Sequence, residues 1–234
     1  MTTTMPPSTA SRAPRRDATE NRVALLEAAQ SALRSDPDAS LETIAATAGL
    51  TRRAVYGHFA NRDELVNAVV VAGAERVASS ITAVRGEDPL TTIALIGDVL
   101  WARVDHIRIM APLAVRGPLR PVTAAALQPV RTLLLHTVEA GIANGSIRPD
   151  IDAGVLARLV ESTAVGVLEE ATRSELSTGA GRRLVMLATL GAVGLSWQDA
   201  TAVAERADAI TRAASQATAV ATTTTTDEEP SHAR

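Results

Sequence analysis

The sequence predicts an all-α fold in two parts, an N-terminal unit of three helices joined to a larger helical body. Three observations carry that prediction. Apolar residues recur at three- and four-residue spacing along most of the chain, and no run combines strand alternation with turn residues at its ends. The chain is 46% hydrophobic but only 2% aromatic, so its core is built from small and branched aliphatics that suit close helix packing. Clusters of cap and breaker residues separate the periodic segments, notably SDPDAS at 35–40 and NGSIRPDID at 144–152.

Composition narrows the possibilities. A chain of 234 residues can bury a substantial core, and a mean hydropathy of +0.11 is too high for wholesale disorder. No uninterrupted apolar run reaches the roughly 18 residues of a membrane span. The opening MTTTMPPSTASRAPRR lacks the apolar stretch of a signal peptide, so a cytoplasmic location is expected. Cysteine is absent, which excludes disulfides and thiolate metal sites. Every basic residue is Arg; codon usage in a GC-rich genome accounts for the missing Lys.

The elements follow in order. Residues 1–16, rich in Thr, Ser, Pro and Arg, read as a flexible arm. A helix is expected from Asp17 to Leu33, with Val23, Leu26 and Ala29 on one face. Ser40 caps a second helix, in which Leu41, Ile44, Ala45 and Ala48 share a face, and Gly49 ends it. Thr51 caps a short helix from Arg52 to about Phe59. A long helix starts near Arg62, with Asp63 and Glu64 in its first turn, and continues to about residue 84.

Pro89 opens a helix expected to reach Met110. Pro112, Gly117, Pro118 and Pro121 mark a break. The helix after it runs to Ala143, kinked or restarted at Pro129. Helices at 153–173, 181–195 and 199–215 complete the body. The domain plan is therefore an arm (1–16), a helix-turn-helix unit (17–65), a body (85–216) and a disordered tail (217–234).

Residues 51–62 hold the only Tyr and the only Phe of the chain, together with three Arg and no acid, although the net charge of the whole is −3. Helix, glycine turn and short helix over 41–59 have helix-turn-helix dimensions. The second helix of such a unit lies in the major groove. Arg52 and Arg53 stand at its start, where Arg pairs bidentately with guanine. Thr51, Tyr56, His58 and Arg62 are placed for phosphate. Phe59 points the other way and, with Val55, locks the short helix onto the core. An ordinary helical hairpin with surface arginines is the competing reading. It leaves the coincidence of cap, glycine turn, aromatic spacing and trailing Arg-Asp-Glu-Leu unexplained.

At this point the sequence TIAATAGLTRRAVYGHFANRDEL resembles the DNA-binding signature of the tetracycline-repressor-like (TetR) family of transcriptional regulators. Arg62 stands where that family usually has Lys, and Leu33 where many members have Phe. The resemblance implies a homodimer that binds double-stranded DNA at a palindromic operator and answers to a small-molecule effector. No cofactor and no metal are expected. The resemblance also implies that the last long helices form the dimer interface. Leu159, Thr163, Val167, Leu187, Ala188 and Gly191 are candidates there, and intramolecular core is the alternative for the same stripe. The helix after the connecting helix would border the effector cavity. That makes Trp101, Val104, Asp105, His106, Met110 and His136 candidates for an apolar or aromatic ligand, against a plain core with a few polar groups.

Other features read more simply. Arg12, Arg15 and Arg16 fit either a minor-groove arm or a solvated tail. Gly141, Gly145, Gly179 and Gly181 read as loop breaks. Ser162, His136 and Asp152 show no nucleophile spacing, and the four His form no metal-ligand pattern, so catalysis is not expected. A regulator governed by a protein partner, or lacking an effector, is the other regulatory reading. An all-helical enzyme with an incidental helix-turn-helix is the alternative from another class.

Overall fold

The computed structural model describes residues 13–36, 38–104 and 119–225. Among them every regular element is an α-helix: α1 (Ala13–Ser35), α2 (Leu41–Thr47), α3 (Arg52–Tyr56), α4 (Arg62–Thr82), α5 (Pro89–Val104), α6 (Arg120–Ala143), α7 (Ala153–Arg173), α8 (Thr178–Ala192) and α9 (Trp197–Thr225). The chain divides into two compact units, residues 1–74 and 75–234.

The first unit, the head, closes over one small core. Leu25 and Ala29 of α1, Leu41, Ile44 and Ala45 of α2, Val55 of α3, Phe59 and Leu65 are buried together. Local chemistry sets the boundaries. The Ser40 Oγ accepts from the Thr43 amide at 3.1 Å and opens α2. Gly49, at φ +67°, takes the left-handed conformation that ends it. The Leu50 amide then closes back on the Ala45 carbonyl at 2.9 Å, and Leu50 packs against the core. Thr51 accepts from the Ala54 amide at 3.3 Å and opens α3 at once. Two helix ends and two caps are thus compressed into a few residues.

Several boundaries differ from the sequence expectation, each for a local reason. α1 starts at Ala13 rather than Asp17, because Pro14 is compatible with a helix's first turn. Residues 13–16 are therefore helix and not arm; residues 1–12 lie outside the described residues. Arg15 and Arg16 fall within α1, so neither is part of an extended strand-like arm. α3 stops at Tyr56, where Gly57 is the C-cap residue, and the amides of His58 and Phe59 both return to the Val55 carbonyl. α9 continues to Thr225, past the expected end at 215 and into the stretch read as tail; residues 226–234 lie outside the described residues.

The second unit, the body, is arranged around α5. Asp88 caps that helix, its Oδ1 accepting from the Thr91 amide at 2.9 Å, with Pro89 at the first helical position. From Ile93 to Asp98 every residue of α5 is buried, which a helix achieves only when neighbours cover it on all sides. α6, α7, α8 and α9 supply the cover through Leu134, Val138, Leu156, Val160, Met186, Leu190, Val203 and Ala204. Pro129 does not restart α6; the helix runs unbroken through it.

Two of the glycines read as loop breaks are buried within helices. A Cβ on Gly181 would overlap the Trp101 ring, and one on Gly141 would overlap Ile147. Absence of a side chain here serves packing, and α8 starts at Thr178 rather than at residue 181 because the Ser177 side chain caps it, accepting from the Ala180 amide at 3.3 Å. One ionic network crosses the body. Asp98, 4% exposed, pairs with Arg182 of α8 and accepts from the Thr211 hydroxyl of α9 at 2.7 Å. Arg182 also approaches Asp208 of α9 at 2.9 Å, an ion pair whose alignment falls short of a hydrogen bond. With both carboxylates beside it, led by Asp98, the guanidinium is held more firmly protonated than usual.

The Trp101–Gly181 contact yields a stability prediction. Gly181→Val should lower unfolding free energy by about 1–3 kcal/mol, the usual cost of overpacking a filled core. Adding Trp101→Phe, which vacates part of the ring's space, should recover some of that loss. Urea denaturation of the two single variants and the double variant checks the coupling.

Candidate nucleic-acid interface and effector region

A five-residue helix cannot hold itself together, so α3 depends on what lies beneath it. Val55 and Phe59, each 1% exposed, turn inward and join α3 to α1, α2 and α4. The Arg22 guanidinium of α1 sits 4.5 Å above the centre of the Phe59 ring, a cation–π cover that sequence spacing did not reveal. With the inner face fixed, Thr51, Arg52, Arg53 and Tyr56 are all exposed, while His58 is half-buried. Six candidate residues therefore come from one segment, but they do not stand alike.

Among the described residues Arg53 makes no ion pair. Arg52 does: its Nη2 lies 3.2 Å from the Glu42 Oε1, and its guanidinium stands 5.4 Å from the centre of the Tyr56 ring. The Tyr56 hydroxyl donates to the same Glu42 oxygen at 3.2 Å. Arg62 differs most from expectation. Its Nε donates to the Ala39 carbonyl at 3.0 Å, and the residue is half-buried. That bond ties the start of α4 to the loop before α2, a structural role that the reading as a phosphate ligand did not include. The contacts of Glu42 and Arg62 join residues ten or more apart, and no local periodicity reports such pairings.

In the body, Trp101 is 1% exposed and packs with Val104, Ala164, Val167, Leu168, Ala171 and Val185. Its Nε1 is buried and has no hydrogen-bond partner among the described residues. Asp105, His106 and Met110 lie outside the described residues. His136 is a correction: it is exposed on α6 rather than set among buried aliphatics. A groove of about 200 Å³ opens between α6 and α7, walled by Leu134, Leu135, Ala157 and the Arg131–Glu161 pair at 3.0 Å. A second, of about 400 Å³, lies beside Leu90, Leu195, Val203 and Arg206. Neither is lined by Trp101.

The candidates on α7 and α8 separate into two groups. Leu159 is 44% exposed, Gly191 is exposed with nothing within 4 Å of a Cβ added to it, and Thr163, Leu187 and Ala188 are half-buried. Val167 is a second correction, because it is buried inside the protomer against the Trp101 cluster. Among the described residues no three His, Asp or Glu side chains gather into a group that could hold a metal ion. The Asp152 carboxylate caps α7, accepting from the Val155 amide at 3.0 Å.

Residues 25–69, which span this head, match the family described as bacterial regulatory proteins, tetR family. No curated protein sequence matches the chain. Solved structures show the same fold over both units. The fatty acid degradation regulator FadR from Bacillus halodurans superposes with a TM-score of 0.62 at 16% identity, over 75% of this chain and 97% of its own. SmeT, the repressor of the Stenotrophomonas maltophilia multidrug efflux pump SmeDEF, gives 0.60 at 24% identity, over 75% and 91%. RolR in complex with resorcinol gives 0.60 at 20% identity, over 82% and 96%.

Proposed function

We propose that this chain, which carries the helix-turn-helix DNA-binding domain of the tetR family of bacterial regulatory proteins, is a homodimeric, cytoplasmic transcriptional repressor released from a palindromic operator by a small apolar or aromatic molecule. The observation that carries the reading is Arg53, exposed and without an ion pair among the described residues, on a short helix held from beneath by Val55 and Phe59. A side chain that reads base edges must be free at its tip and rigid at its root. The relatives add support of a weaker kind: RolR is seen with resorcinol, and SmeT represses an efflux pump. A gel shift on the DNA flanking the chain's own gene tests the whole reading against an enzymatic one.

Arg53 bears on sequence choice. Arg53→Ala should cost about 1–3 kcal/mol of operator affinity and relax discrimination between sequences. Tyr56→Phe should weaken binding to all sequences alike. Competition of operator against random duplex measures both, and intact discrimination in the Arg53 variant would exclude direct readout by that residue.

The exposed stripe on α7 and α8 supports a two-fold partner, since two half-sites need two heads. Leu159 and Gly191 are exposed on it, with Thr163, Leu187 and Ala188 half-buried beside them. Open space around Gly191 means that Gly191→Arg should leave the protomer folded yet split the dimer and abolish operator binding. Sedimentation gives the answer; an unchanged dimer would move the interface off α8.

For the effector, the buried Nε1 of Trp101 is, among the described residues, a donor without an acceptor, packed against apolar side chains. A ligand bringing an acceptor and an aromatic or aliphatic body would satisfy it while wedging α5 from α7 and α8. Trp197, 76% exposed, is the only other indole, so Trp197→Phe leaves Trp101 as sole reporter. Titrating an inducing compound should change its emission over the concentrations that release DNA. Release with constant emission would place the effector elsewhere, the α6–α7 groove being the next site to probe.

A further inference from the structure

The head carries an acid where a phosphate-binding surface has reason to avoid one. Between Ala39 and Arg62 the sequence contains a single carboxylate, Glu42, and three arginines. Glu42 sits in the first turn of α2 and is exposed, with 46% of its side chain open to solvent and 72% of Arg52 likewise. Its carboxylate engages two groups of the neighbouring helix at once: Arg52 at 3.2 Å and the Tyr56 hydroxyl at 3.2 Å. Exposed pairs of this kind contribute little to folding, so stability does not explain the arrangement. Of the two groups it holds, Tyr56 is placed above for phosphate and Arg52 is read above with Arg53 as a base contact; with Arg52 drawn to the carboxylate, Arg53 is the arginine at the start of α3 that has no ion pair among the described residues.

We propose that Glu42 is an internal counter-ion that competes with DNA phosphate for Arg52 and Tyr56, and so sets the sequence-independent affinity of the head. The proposal rests on the DNA-binding reading above and says what tunes it. In the unbound head the carboxylate neutralises Arg52 and occupies the tyrosine hydroxyl. Contact with a phosphodiester requires both to exchange partners, and the released carboxylate then stands near the backbone as a repelling charge. Binding to arbitrary duplex is weakened, while base reading by Arg53 is untouched. A regulator that must leave bulk DNA to find one operator gains from that ratio rather than from raw affinity.

The test uses the full-length protein and fluorescent random-sequence duplex, read by anisotropy between about 50 and 200 mM salt. Glu42→Gln should bind about three- to tenfold more tightly, with the log–log salt slope steeper by about one unit. The gain should disappear in the Glu42→Gln, Arg52→Gln double variant, because the carboxylate acts through that arginine. Glu42→Asp keeps the charge but withdraws it by a methylene, and should fall between wild type and Glu42→Gln. Thermal melting confirms that each variant is folded. Unchanged or weaker binding by Glu42→Gln overturns the proposal, as does an effect confined to particular sequences, which would make Glu42 a base reader accepting from cytosine. Wild-type protein that shows no salt-dependent binding, and is indifferent to Arg53→Ala, would instead remove the DNA-binding reading itself.

Discussion

Burial of Val55 and Phe59 beneath α3 is the constraint on which the head depends. Five residues form too few internal hydrogen bonds to outweigh the cost of starting a helix. The segment is helical because its inner face is held by Leu25, Ile44 and Leu65 and its first turn by Thr51. Arg22 completes the seal by covering the Phe59 ring. The outer face then inherits a fixed direction, and Arg52, Arg53 and Tyr56 project from a rigid base instead of from a flexible loop. A chain with one Phe and one Tyr has placed both where a short element needs a large anchor on one side and a polar reach on the other.

The body solves a different problem with the same small residues. Its central helix α5 is apolar on every side over Ile93–Gly97, yet it carries Asp98. A buried carboxylate is tolerable only when paired, and Arg182 of α8 and Thr211 of α9 supply the partners, Arg182 in turn pairing with Asp208 of α9. Removing one partner would leave a charge uncompensated, so the network fixes the register of three helices more than it adds to stability. One turn further along α5, Trp101 fills the space left by Gly181. The two contacts adjoin in sequence on both helices, 98 with 101 and 181 with 182. Any displacement of the indole would therefore also press on the ionic network.

Charge in the head shows a comparable economy. Arg62 is used to join the start of α4 to the loop before α2 through the Ala39 carbonyl. Arg52 is shared between Glu42 and the face of Tyr56. Of the three arginines in the segment, one secures the fold, one is held in reserve and one is open. A simple count of basic residues would have treated them as equivalent.

The sequence by itself determined the helical class, the caps and the exposed basic face of the segment from Thr51 to Tyr56. Those signals are local: Ser40, Gly49, Thr51 and Pro89 act on amides and carbonyls within one turn of themselves, and the 3.6-residue period names the buried face. The inward placement of Phe59 was legible from its spacing to Val55, although the helix itself ends at Tyr56. Tertiary structure decided what depended on residues distant in the chain. Gly181 and Gly141 read as breakers because an isolated glycine signals a turn, whereas each is helical and accommodates a side chain from elsewhere, Trp101 or Ile147. Val167 and Leu159 lie on one apolar stripe, but only neighbouring α5 and α8 settle which is core and which is surface. His136 looked like a polar group among aliphatics, and the rotation of α6 turns it to solvent. Glu42 gave no sign of its partners, since a carboxylate reaching across to another helix leaves no periodic trace. Period and capping are properties of a chain segment; pairing, filling and exposure are properties of the packed whole.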